Sequence, residues 1–167
     1  PWMPPLLSGL LAVLAMAAAL AAWLPQRIPT LPVLGLCVLA LPLLASLQFY
    51  AGYPLRVLTA EATRLLLSLV YAVERSGASL LVQGQLVIVD APCSGVQMAW
   101  LAYFTACVVA LHARRPNASF ALRLPAVGAM VLVGNIVRNT VLVAYAGTGQ
   151  ALSSWAHEGV GLLAQAL

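Results

Sequence analysis

Residues 120–145 read FALRLPAVGAMVLVGNIVRNTVLVAY. A bilayer core is crossed by roughly 20 mostly apolar residues in helical conformation, and this run is long enough. Its only charges are Arg123, near the start, and Arg138, in the second half, with Asn135 and Asn139 close to Arg138. Polar and ionisable groups at membrane depth are costly and point to function or to a buried partner. The stretch predicts a membrane helix with a polar cluster past its midpoint.

The rest of the chain has the same character. Of 167 residues, 63% are hydrophobic and 7% charged, and the mean hydropathy is +0.99. Soluble domains are about half apolar and a quarter charged. Apolar runs occur throughout, so this is a single-domain integral membrane protein and not a soluble core with a tail. The net charge of +4 comes entirely from arginine. No basic cluster is interleaved with aromatics, which argues against nucleic-acid binding. Cys37 and Cys107 lie inside apolar runs and read as small buried hydrophobes. No Cys/His spacing of the zinc kind is present, and no metal is expected.

Working outward, Gly147-Thr148-Gly149 is a turn, and a last helix over 151–167 carries His157 and Glu158 in its first turns. Upstream, His112 to Asn117 is a polar loop with Arg114 and Arg115, preceded by a helix over 95–112. Residues 79–90 are rich in β-formers around Gly84 and predict a short hairpin or extended loop. It leads into Ala91-Pro92-Cys93-Ser94-Gly95, where Ser94 or Asp90 is a candidate helix cap. Residues 54–75 predict an amphipathic helix, either lying at the interface or packed across the bundle. Helices over 31–50 and 6–23 come first, joined by a turn at 25–29. The first run lacks a basic flank and does not read as a signal peptide. The chain begins with Pro1, and 151–167 is short for a span, so trimming at either end stays open. The expected fold is an all-α polytopic membrane protein of five to six membrane-embedded helices, with an extracytoplasmic hairpin before Cys93.

The last three helices alternate in direction. Cys93 precedes the first, Arg138 is about two-thirds along the second, and His157 is early in the third. All three therefore fall at one side of the membrane. Arg114, Arg115 and Arg123 mark the other side as cytoplasmic, because short arginine-rich loops stay inside. A cysteine attacks as thiolate, which a helix N-terminus and a nearby cation favour. A histidine serves as base toward the thiol and acid toward the leaving amine. An arginine stabilises an oxyanion, holds the thiolate or orients a carboxylate. Gln97, one turn after Cys93, and Asn135, one turn before Arg138, are candidates to support these groups. Glu158 is a weaker candidate to orient His157, since adjacent residues on a helix face differently.

With these motifs in place, the chain resembles the exosortase/archaeosortase family of membrane cysteine transpeptidases. The matching stretches are Ala91-Pro92-Cys93-Ser94-Gly95-Val96, Asn135-Ile136-Val137-Arg138-Asn139 and His157-Glu158-Gly159-Val160-Gly161. Gln48-Phe49-Tyr50-Ala51-Gly52-Tyr53-Pro54-Leu55-Arg56 and the Gly84 hairpin also look like the family. The likeness covers about residue 48 to the end. It implies a catalytic triad of Cys93, Arg138 and His157, with Ser94, Gly95, Gln97, Asn135 and Glu158 as supporting or substrate-binding residues. It also implies substrates: exported proteins with a C-terminal sorting signal of the PEP-CTERM type, made of a short motif, a membrane helix and a basic tail. Cleavage would pass through a cysteine thioester, with transfer to a lipid or glycan acceptor of the envelope. The implied location is the bacterial inner membrane, with the site facing the periplasm or outside. No cofactor is implied. Many members carry more N-terminal helices, where this chain has two before residue 54, and Pro92 is a second departure that bears on substrate choice.

Two other readings use the same residues. A membrane cysteine endopeptidase would hydrolyse without transfer. A non-catalytic scaffold or transporter subunit would use Arg138 to bind an anion or to pair within the bundle, although the inverted repeats common in transporters are absent from the sequence.

Overall fold

The computed structural model describes residues 5–23, 25, 28–89 and 91–147. The expected helix over 151–167, with His157 and Glu158, lies outside the described residues, as do Gln26, Arg27, Asp90, Thr148 and Gly149. In chain order the elements are α1 (Pro5–Trp23), α2 (Thr30–Leu39), α3 (Leu43–Leu67), β1 (Val73–Ser76), β2 (Ser79–Val82), β3 (Gln85–Ile88), a 3-10 turn (Ala91–Ser94), α4 (Val96–His112) and α5 (Asn117–Gly147). The chain divides into two units, one of residues 1–43 and 99–129, the other of residues 44–98 and 130–167.

In the first unit, helix ends are satisfied from a distance. The N-cap residue of α2 is Pro29, which has no side-chain cap to offer. Asn117, the first residue of α5, supplies one: its Oδ1 accepts from the Leu31 N–H at 3.0 Å and its Nδ2 donates to Thr30 Oγ1 at 2.9 Å. This fills one of the donors that every helix start leaves open. At the other end of α4, Arg114 takes a left-handed φ of 48°. The Arg115 N–H then donates to Ala110 O and the Arg114 N–H to Leu111 O, which is the Schellman pattern. Helices approach through small residues: a Cβ on Gly35 would meet Cys107 Sγ at 2.7 Å, and one on Gly128 would meet the Tyr103 hydroxyl at 2.6 Å. Cys107 is buried with Ala110 and Phe120. It is therefore the packing cysteine that its apolar surroundings suggest.

In the second unit, α3, the sheet, the 3-10 turn ahead of α4 and the end of α5 share a core of Ala60, Leu67, Leu80, Val82, Val89, Cys93 and Val143. The three strands form an antiparallel meander in the order β1-β2-β3. Gln83 and Gly84, with φ of 50° and 83°, make the β2–β3 turn, and positive φ at both central residues is the type I′ hairpin that matches strand twist. Leu80 and Val82 face the core while Leu81 is exposed, the alternation a half-buried strand requires.

Two boundaries differ from the sequence reading. The helix expected over 31–50 and the one over 54–75 are divided instead at Ala40–Pro42, and α3 runs unbroken through Pro54. Pro42 has no N–H and disfavours helical backbone at the preceding residue. Pro54 removes the bond that the Tyr50 carbonyl would have accepted and crowds that carbonyl, yet α3 continues through it. The helix expected to reach residue 75 stops at Leu67, because Val73–Ser76 pair with Ser79–Val82 as a third strand. Arg75 fastens that strand to α3 through Glu61 at 2.6 Å, beside the Glu61–Arg64 pair at 2.6 Å.

The burial pattern is that of a membrane protein. On α5, Met130, Val133, Val137, Val141 and Tyr145 are exposed along one stripe, while Asn135 and Asn139 are buried on the opposite side. On α3, Thr59 and Thr63 are fully buried while Leu58, Leu65 and Leu66 are exposed. Polar groups inside and apolar groups outside invert the soluble arrangement. By length and composition, among the described residues, α5 is one helix able to cross a bilayer, and α2 with α3 makes a second if they form one broken span. α1 and α4 are apolar but shorter.

Candidate active site

Cys93 is the third residue of the 3-10 turn and sits just ahead of α4. Its burial, at 7% exposure, follows from its place in the core with Val89 and Val143. The backbone around it is fixed by polar side chains from three segments. Asn135 Nδ2 donates to the Cys93 carbonyl at 2.9 Å, and Asn139 Nδ2 donates to the same oxygen at 3.3 Å. Asn135 Nδ2 also reaches Thr59 Oγ1 at 3.2 Å, and Asn139 Nδ2 reaches the Asn135 carbonyl at 2.8 Å. Ser94 Oγ donates to Gln48 Oε1 at 3.1 Å and accepts the Val96 N–H at 3.4 Å. Ser94 is therefore the side chain that caps α4. A buried carbonyl without partners costs on the order of 1–3 kcal/mol, and the Cys93 carbonyl has two.

Gly95 is required twice over. Its φ is +78°, and a Cβ there would stand 3.0 Å from Asn135 Cγ. Gly84 has a similar φ of +83°, but a Cβ added to it would meet nothing within 4 Å. Gly95→Ala should therefore lower the thermal midpoint of the detergent-solubilised protein by more than Gly84→Ala. The backbone penalty alone is about 1–2 kcal/mol, and the displacement of Asn135 adds to it. Equal losses from the two substitutions would show that Asn135 does not press on Gly95.

A cleft of about 180 Å³ opens beside Cys93, with Val87, Val89, Asn139, Leu142 and Val143 among its walls. Among the described residues, Asn139 is its one amide-bearing wall. Arg138 is half-buried on α5 next to this cluster. Its Nε is buried, and so is Asn135 Oδ1; neither has a hydrogen-bond partner among the described residues. One is a donor and the other an acceptor, three residues apart on one helix, a spacing that makes side chains neighbours.

The sequence-predicted residues thus divide. Cys93, Ser94, Gly95 and Asn135 are brought together, and Arg138 lies on the same turn as Asn135 and Asn139. Gln97 is exposed on the first turn of α4. His157 and Glu158 lie outside the described residues. Sequence reasoning did not single out Asn139, Thr59 or Gln48 for the site. The available signal was the pairing of polar residues four apart, Thr59 with Thr63 on α3 and Asn135 with Asn139 on α5. No group of three or more His, Cys, Asp or Glu able to hold a metal occurs among the described residues.

The match to known proteins is at the level of the family. The family model for transmembrane exosortase (Exosortase_EpsH) matches residues 3–167. The chain belongs to the transmembrane exosortase family. The match includes α1 and α2, so membership extends beyond the likeness seen from residue 48 onward. No curated protein and no solved structure matches the chain.

Proposed function

We propose that this exosortase-family membrane protein is a cysteine transpeptidase with Cys93 as nucleophile. The observation that supports this best is the buried clamp on the Cys93 carbonyl. Two asparagines hold the backbone of one cysteine beside a cleft, and Thr59 accepts from one of them, in a membrane protein where an unpaired buried polar group is costly. The clamp acts on the backbone, and so it fixes the position from which the Cys93 side chain meets the cleft.

In the proposed reaction the substrate is an exported protein with a C-terminal sorting signal of the PEP-CTERM type. His157 takes the thiol proton as Cys93 Sγ attacks the scissile carbonyl carbon. The tetrahedral oxyanion is held by Arg138, whose donors aim charge at the developing negative oxygen. The amide C–N bond breaks as His157 returns the proton to the leaving amine. The released fragment is the membrane helix with its basic tail, and the other product is a thioester on Cys93. An acceptor nucleophile, a lipid or glycan component of the envelope, then attacks the thioester and frees the thiol. Five to six helices cross the bacterial inner membrane in this reading, with α1 and α4 among them, and the site faces the periplasm. No metal or cofactor takes part.

The test is the mass of the product's new C-terminus after co-expression with such a substrate. Transfer predicts an added acceptor mass on the carboxyl group. A free carboxylate in every product molecule would reduce the function to hydrolysis.

A further inference from the structure

The cleft beside Cys93 is lined by Val87, Ile88 and Val89 in succession. Successive side chains of a strand point to opposite faces, so a cleft that touches all three runs along the edge of β3 and not over one face of the sheet. The other edge of β3 is occupied by β2, with Leu81 opposite Leu86 and Ser79 opposite Ile88. The Val89 N–H donates to Ala78 O at 3.0 Å. Pairs two residues apart share a hydrogen-bonding direction in an antiparallel ladder. The backbone groups of Val87 and Val89 therefore turn toward β2, and those of Leu86 and Ile88 turn outward, where β3 has no neighbouring strand among the described residues.

An open strand edge is a template for another strand. Here the edge runs into the same cleft as the cysteine. We infer that β3 receives an extended segment of the substrate as an added strand, pairing with the backbone of Leu86 and Ile88 and placing an apolar side chain in the cleft beside Cys93. Strand addition draws affinity from main-chain hydrogen bonds and specificity from pockets for alternate side chains. The walls formed by Val87, Leu142 and Val143 suit an uncharged side chain of modest size. This inference rests on the proposed function, since it concerns the peptide on which that site acts.

Disulfide scanning tests it. Ile88→Cys is made in a chain carrying Cys37→Ala, Cys93→Ala and Cys107→Ala, so that bound substrate is not turned over. The probe is a co-expressed exported reporter ending in a short motif, a membrane helix and a basic tail, with single cysteines moved through the motif. Strand addition predicts crosslinks at every second position. In the otherwise native chain, Ile88→Pro, which removes an outward N–H and leaves the bonds to β2 in place, is expected to slow processing at least ten-fold. Crosslinks without two-residue periodicity, no crosslinks at all, or Ile88→Pro processing at the native rate would overturn the added strand. If in the same experiment the native chain still processes the reporter and Cys93→Ala does not, the proposed function survives that outcome. If Cys93→Ala processes as well as the native chain, the function itself fails.

Discussion

Cys93→Ala is expected to abolish processing of a co-expressed exported substrate, by ~10³-fold or more. Removing a nucleophile removes the covalent route entirely, and losses of that size follow where catalytic residues act as a unit. The substitution is a mild one structurally. It takes a single sulfur from a core that retains Val89, Val143 and Leu80, and the carbonyl that Asn135 and Asn139 hold belongs to the backbone and remains. The protein should therefore reach the membrane in normal amount. Cys93→Ser should fail as well, because a hydroxyl is far less nucleophilic than a thiol near neutral pH. Cys37→Ala and Cys107→Ala should process normally. The measurement is the ratio of processed to unprocessed substrate against the amount of enzyme in the membrane. Undiminished processing by Cys93→Ala would remove the nucleophile from the account.

Arg138→Ala is expected to lower the rate of processing by about 10²- to 10³-fold, the range seen when one oxyanion donor is deleted. The buried Nε of Arg138 has no partner among the described residues, so truncation breaks no bond of that nitrogen to any of them. The loss should therefore fall on kcat more than on the amount of folded protein. Arg138→Lys should restore little. A lysine offers one compact charge and lacks the planar fork of donors. Removing Asn135 is a different kind of change, because it takes the Thr59 and Cys93 bonds with it and should lower stability along with activity. An Arg138→Ala protein that keeps more than about a tenth of the native rate would show that the arginine does not face the reacting oxygen.

Some of this was legible in the sequence for clear physical reasons. Apolar length exposed the helices, and α4 and α5 lie within three residues of where the run lengths put them. Gly84 with its flanking β-formers marked the hairpin. Ser94 and Asn135 were legible because polar groups stand out in an apolar chain, and Cys93 and Gly95 flank Ser94 in the same motif. What was hidden depends on partners remote in sequence. Pro42 and Pro54 look alike locally, yet only Pro42 ends a helix. Val73–Ser76 continues a helical pattern and becomes a strand because β2 is there to pair with it. Asn139 reads as one more polar residue near Arg138 until the Cys93 carbonyl is found within its reach. The α2 cap was equally hidden, since Pro29 offers none and Asn117 is 86 residues beyond its partner Leu31.

The most direct test of the nucleophile is capture of the acyl-enzyme. Membranes from cells co-expressing the chain and a sorting-signal substrate would be denatured without thiols, and the peptides containing Cys93, Cys37 and Cys107 weighed by mass spectrometry. The account predicts a substrate-derived acyl adduct on Cys93 alone, removed by hydroxylamine as a thioester is, and absent from His157→Ala. Processing that continues with Cys93 unmodified, or an adduct carried by Cys37 or Cys107, would contradict it.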